Sequence, residues 1–151
     1  MLYFLDTSAL VKRYRAERGT ELVDAVFEDR ANAMLISALS IAEVARALDT
    51  HVRRGEISAG DARLALSKLY AECHAGALGV LDIQRRYLFH ANDLILQFHL
   101  TAPDAIILAT ALTLAPQTPI FVCADTRSGL LHAAETSGLS ILNPLSPGPV
   151  A

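Results

Sequence analysis

Five short apolar runs, at Met1–Leu5, Met34–Ile36, Val80–Ile83, Ile120–Cys123 and Leu139–Leu142, recur along the chain with helical periodicity between them. Each run is too short for a helix and is bounded by hydroxyls, acids or glycine, so each predicts a buried strand. Parallel neighbours need a crossover long enough to hold a helix, and the intervening stretches supply one. The helices are expected over 7–14, 21–28, 39–54, 59–74, 85–100, from Pro103 through Leu112, and over 128–137. Gly55 stops the third and Gly138 the last. The segment Ala105–Leu112 is apolar nearly all round, which predicts a helix packed on several sides. The resulting fold class is α/β, a three-layer α/β/α sandwich with a mostly parallel sheet of about five strands. A single domain is expected over 1–144, followed by a flexible tail over 145–151.

Composition removes several classes. Of 151 residues, 52% are hydrophobic and 19% charged, enough to fill one core without disulfides or metal staples. Cys73 and Cys123 form no CxxC pair, and the five histidines form no HExxH pattern, which argues against a disulfide framework or a zinc site. No apolar run reaches spanning length without an Asp, Pro or Gly. No basic region precedes the N-terminal apolar residues either. The expectation is a soluble, cytoplasmic protein with no membrane partner. The net charge of −3 does not advertise nucleic-acid binding, although acids gathered in one pocket would mask a basic patch. Lys12, Arg13 and Arg15, with Arg18, crowd the first helix. A solvated face is the default reading, yet these are the basic residues best placed to meet nucleic acid.

Four carboxylates occupy comparable places. Asp6 follows the first strand, Glu43 lies in the helix after the second, Asp104 opens the apolar helix, and Asp125 follows the fourth strand. Each also fits a structural role. Asp6 or Thr7 fits an N-cap, and Ser40 to Glu43 matches the capping-box spacing with Arg46 as an alternative partner for Glu43. Asp104 suits the helix dipole, and Asp125 suits a cap on the last helix. Jointly they say more, because strand ends and the helix starts that follow them share one edge of a parallel sheet. Carboxylates brought together there raise one another's pKa unless a cation sits among them. Hard divalent cations prefer such oxygens and keep room for phosphate, which points to metal-assisted phosphodiester hydrolysis.

Taken in order, Leu5-Asp6-Thr7-Ser8-Ala9-Leu10, Ser40-Ile41-Ala42-Glu43-Val44, Pro103-Asp104-Ala105-Ile106-Ile107-Leu108-Ala109-Thr110-Ala111 and Val122-Cys123-Ala124-Asp125, with Gly138-Leu139 and Asn143-Pro144 downstream, resemble a PIN-domain ribonuclease. The likeness is to the VapC-type toxins of bacterial and archaeal toxin-antitoxin pairs, and it spans Leu5 to Pro144. It implies that Asp6, Glu43, Asp104 and Asp125 form an acidic quartet holding Mg²⁺ or Mn²⁺, with Ser8 as a polar helper. It also implies cleavage of single-stranded RNA, often tRNA or rRNA, a homodimer, and inhibition by a VapB-like antitoxin. Cys123 departs from the pattern, since relatives often carry Thr or Ser two residues before the last acid. A haloacid dehalogenase-like phosphatase would need a second aspartate where Ser8 stands. A receiver-like phosphoacceptor would need paired acids and a later lysine that the chain lacks. The remaining alternative is a catalytically inactive PIN-like module that binds RNA or protein.

Overall fold

The computed structural model describes residues 1–146. Its five strands are β1 (Leu2–Leu5), β2 (Ala33–Ser37), β3 (Gly79–Leu81), β4 (Ile120–Val122) and β5 (Ser140–Leu142). All neighbours pair in parallel, in the order β3-β2-β1-β4-β5, so β1 is the central strand. Among the described residues seven α-helices connect and cover them: α1 (Thr7–Tyr14), α2 (Thr20–Glu28), α3 (Ala38–Arg53), α4 (Ala59–His74), α5 (Arg85–Phe98), α6 (Ala102–Leu112) and α7 (Leu130–Thr136), with a 3₁₀ turn at Ala115–Gln117.

Alternation along β1 divides the interior between two layers, since successive side chains point to opposite faces of a sheet. Tyr3 and Leu5 pack with Leu10, Val23, Val44, Leu48 and Leu69, on the face covered by α1 to α4. Phe4 points the other way, against Phe121 of β4 and into Leu94, Ile107, Leu108 and Leu130 of the α5, α6 and α7 layer. Phe4 and Phe121 sit opposite one another in the β1–β4 register, with rings stacked at 6.1 Å between centroids. The expected all-round burial of the apolar helix holds, because Ala105 and every residue from Ile107 to Ala111 are buried in α6.

Several boundaries differ from the sequence reading for local reasons. The third strand begins at Gly79 rather than Val80, and a Cβ there would approach Leu35 Cδ2 to 2.5 Å. Helix α5 stops at Phe98 because His99 turns into the left-handed region at φ 56°. Helix α7 starts two residues late, behind Gly129 at φ 77°, which lengthens the loop that carries Asp125. Of the tail predicted at 145–151, residues from 147 on lie outside the described residues. The Leu145 carbonyl accepts from the Arg18 guanidinium at 2.9 Å. Among the described residues no single helix is long and apolar enough to cross a membrane. Only α5 and α6 taken together, bent by 117°, reach that length and composition.

Candidate active site

The carboxyl edge of the sheet collects the four acids. Asp6 follows β1 directly and is the N-cap of α1. Its Oδ2 accepts from the Ser8 amide at 3.0 Å, from the Ser8 hydroxyl at 2.6 Å and from the Cys123 thiol at 3.6 Å. Ser8 Oγ in turn accepts from the Ala124 amide at 2.9 Å. One serine hydroxyl therefore ties the end of β4 to the acid at the end of β1. Asp6 is only 3% exposed, and its pKa is raised. Burial is the main cause and the Asp104 charge adds to it, outweighing the hydrogen bonds from Ser8 that favour the ion.

Glu43 lies one turn into α3. The N-cap of this helix is Ser37, whose Oγ accepts from the Leu39 amide, so the capping box expected between Ser40 and Glu43 does not form. The helix simply starts earlier, at the end of β2. Glu43 instead faces Arg46 at 3.5 Å. Asp104 stands in the first turn of α6, behind the Thr101 N-cap. Its pKa is also raised, by burial first, with Asp125 and Glu43 adding to it against the hydroxyls of Thr101 and Ser128. Asp125 does not cap α7. Its Oδ1 takes the amides of Arg127 at 2.7 Å and Ser128 at 3.3 Å within the preceding loop. Burial pushes its pKa up, but those amides, the Ser128 hydroxyl and the Arg127 charge outweigh it and leave it low.

Asp6, Glu43, Asp104 and Asp125 line a single cleft of about 180 Å³, together with Thr7, Ser8, Val11, Arg46, Ala47 and Ile107. Among the described residues, no three His, Cys, Asp or Glu side chains stand ready to hold a metal ion. Asp6 is engaged by Ser8, Glu43 faces Arg46, and Asp125 is held by its own loop. The donor set still suits a hard cation, because every candidate ligand is a carboxylate oxygen. Thr7 also lines the cleft, and its buried Oγ1 has no hydrogen-bond partner among the described residues.

A second cleft of about 610 Å³ adjoins the first and shares Ser8, Val11 and Asp125 with it. Its other walls include Lys12, Glu17, Thr126, Arg127 and Ser128. Of the three basic residues singled out from the sequence, only Lys12 lies here. It is buried and paired with Glu17 at 2.6 Å. Arg13 is held between Asp24 at 2.7 Å and Glu72 at 2.8 Å, and Arg15 between Glu17 and Glu56. Arg127 gave no sequence signal beyond its proximity to Asp125.

The profile of the PIN domain matches residues 3–134. No curated protein matches the chain. Among solved structures, a toxin-antitoxin complex from Klebsiella pneumoniae is 20% identical with a TM-score of 0.56, covering 94% of this chain and 97% of that one. VapBC2 from Rickettsia felis, bound to a promoter DNA fragment, is 15% identical with a TM-score of 0.63 and coverages of 95% and 98%. A protein from Pyrobaculum aerophilum is 22% identical with a TM-score of 0.61 and coverages of 93% and 92%. These likenesses show a shared fold.

Proposed function

Because the chain belongs to the PIN-domain family, we propose that it is a metal-dependent endoribonuclease and the toxin of a type II toxin-antitoxin pair. The observation that carries this reading is the single cleft lined by four carboxylates from four separate segments. Asp6, Glu43, Asp104 and Asp125 would hold Mg²⁺ or Mn²⁺ after side-chain rotation. When bound, such a cation stabilises charge growing on phosphate oxygens and makes water a stronger nucleophile. The reaction adds water across a phosphodiester, forming one P–O bond and breaking another, with a proton passing to the leaving oxygen.

The chain's own residues supply placement. Ser8 fixes Asp6 and clamps the end of β4 through the Ala124 amide. Arg127, on the adjoining cleft, is the cation available to phosphates flanking the cut site, and Lys12 lines the same cleft but is buried against Glu17. Arg13 and Arg15 would have to leave their acids to meet those phosphates. We place the protein in the cytoplasm as a homodimer acting on single-stranded RNA, with tRNA or rRNA as candidate targets. A VapB-like antitoxin is the proposed partner, supported by similar structures described as a toxin-antitoxin complex and as VapBC2.

The absence of a ready-made ligand trio among the described residues favours a second reading, an inactive PIN-like module that binds RNA or protein. Incubation of purified protein with a mixed single-stranded RNA pool, with Mg²⁺ or Mn²⁺ and then with EDTA, separates the two. Metal-dependent cutting is expected, reduced at least about 100-fold in Asp6→Asn. Folded protein that binds RNA without cutting it in either metal establishes the binding module instead.

A further inference from the structure

Beyond β5 the chain turns back on itself over Asn143–Ser146. The Asn143 side-chain oxygen accepts from the Leu145 amide at 2.9 Å, and the Asn143 carbonyl accepts from the Ser146 amide at 3.1 Å. Two contacts seat this turn on the loop between α1 and α2. The exposed Arg18 guanidinium donates to the Leu145 carbonyl at 2.9 Å. Pro144 is buried, and a Cβ on Gly19 would come within 3.0 Å of the proline's Cβ and carbonyl oxygen. Position 19 therefore suits glycine twice over, for its φ of 92° and for this close approach.

The turn matters because of where it lies. Leu145 lines the cleft of about 610 Å³ that adjoins the four-carboxylate cleft and shares Asp125 with it. Glu17, from the same α1–α2 loop that holds the turn, lines that cleft too. Of the apolar residues in the lining, Val11 and Ala124 are buried, and Leu145 alone keeps part of its surface open. A single-stranded nucleic acid presents charged phosphates together with unstacked bases, and proteins pack apolar or aromatic side chains on such bases. A cleft lined by an exposed Arg127 and by Leu145 offers a surface for each. Its volume lies in the range of sites that take a small molecule or a single nucleotide.

We propose that Leu145 is a binding residue for an RNA base flanking the cut site, and that Arg18 is the positioning residue that holds it there by latching the Asn143–Ser146 turn. The inference rests on the RNA-cleaving reading given above. It brings residues 127 positions apart in the chain onto one substrate wall. It also gives Arg18 a task other than phosphate contact, since its guanidinium is spent on a backbone carbonyl.

The test uses the full chain as wild type, Leu145→Ala, Leu145→Met, Arg18→Ala and the double alanine variant. Cutting of single-stranded RNA in Mn²⁺ gives KM and kcat, and anisotropy titration of labelled single-stranded RNA in EDTA at several salt concentrations gives Kd and its salt slope. Leu145→Ala should raise KM and Kd about fivefold, as the loss of one partly covered apolar contact does. It should leave kcat and the salt slope unchanged, and Leu145→Met should restore binding. Arg18→Ala should reproduce that loss at an unchanged salt slope, and the double variant should be little worse than either single one. A salt slope lowered by about one in Arg18→Ala marks a direct phosphate contact and overturns the positioning role. Equal KM and Kd in the wild type and Leu145→Ala overturn the inference while leaving the nuclease standing. A lower melting temperature for Leu145→Ala, with Leu145→Met unable to restore RNA binding, shows a packing role and overturns it as well. Wild type that neither cuts RNA in Mn²⁺ nor binds it in EDTA overturns the RNA reading itself, and this inference with it.

Discussion

The two ends of α1 treat carboxylates in opposite ways. At its C-terminal end Arg13 joins Asp24 and Glu72, the Tyr14 hydroxyl donates to Glu72 at 2.7 Å, and Lys12 and Arg15 share Glu17. Glu56 adds both Arg15 and His51. Each of these acids has a basic or hydroxyl partner, and the Arg13 guanidinium also lies over the Phe27 ring at 4.7 Å. At the N-terminal end the four acids share a cleft whose lining includes one basic side chain, Arg46, and Arg46 is largely exposed. The same residue types thus build a settled network at one end and an unbalanced one at the other. Charge balance, four acids against one basic side chain, marks the functional end.

The largest effect expected from this contrast is on stability. Arg13→Gln leaves Glu72 and Asp24 with a lost ion pair in a mostly buried setting. Removing one partner of a buried pair is far worse than never having had it, and here about 2 kcal/mol of stability should go. Chemical denaturation measures the loss, and Mn²⁺ titration of the same variant should show unchanged affinity. A fall in metal affinity would mean that the two ends of α1 are mechanically coupled and would undo the separation drawn between them.

Local signals carried the element types, because each strand's apolar run and each helix's start and stop residues lie within a few positions of one another. Ser58 with Asp61 on α4 forms the reciprocal cap such spacing favours. The same pattern at Ser40 and Glu43 misleads, because Ser37, at the end of β2, starts α3 first. The four acids were legible as a group because parallel topology sends strand ends to one edge. The occupation of Arg13 was not legible, since its partner Glu72 lies 59 residues away.

A smaller effect sits at the unbalanced end. Asp6 and Asp104 have folded-state pKa values raised above the ordinary carboxylate range. Between the unfolded value, about 4, and those raised values, the folded protein holds protons that the unfolded chain has lost. Stability in EDTA should therefore fall as pH rises through that window. Asp125 works in the opposite sense, since its lowered pKa gives stability that is lost as pH falls. Asp6→Asn removes the most buried of these charges. It should raise the metal-free melting temperature at pH 7 by about 2–4 °C, the shift that about 1 kcal/mol makes in a domain of this size. A lower melting temperature would show that the Ser8 bonds to the ionised carboxylate outweigh its burial.

The smallest effect concerns Cys123, which occupies the place between the two ends of the Ser8 clamp. It is fully buried, with Sγ 3.6 Å from Asp6 Oδ2 and 3.7 Å from Ser8 Oγ. Burial, and then the Asp6 charge, push its pKa far above that of an ordinary thiol, so it stays protonated. A thiol is a weak donor, so it relieves Asp6 less than a hydroxyl would. Cys123→Ser should lower the Asp6 pKa and flatten the fall of metal-free stability as pH rises above the ordinary carboxylate value of about 4. Mn²⁺ affinity should rise, by less than about tenfold, since a single hydrogen bond to a charged group carries about 1.5 kcal/mol at its weaker end. Cys123→Ala provides the control, because it removes the donor altogether and should steepen the same slope. If the serine and alanine variants share one pH profile, the thiol contact has no electrostatic role. Asp6 would then owe its raised pKa to burial and to Asp104 alone, and the unbalanced end of α1 would be set wholly by the acids themselves.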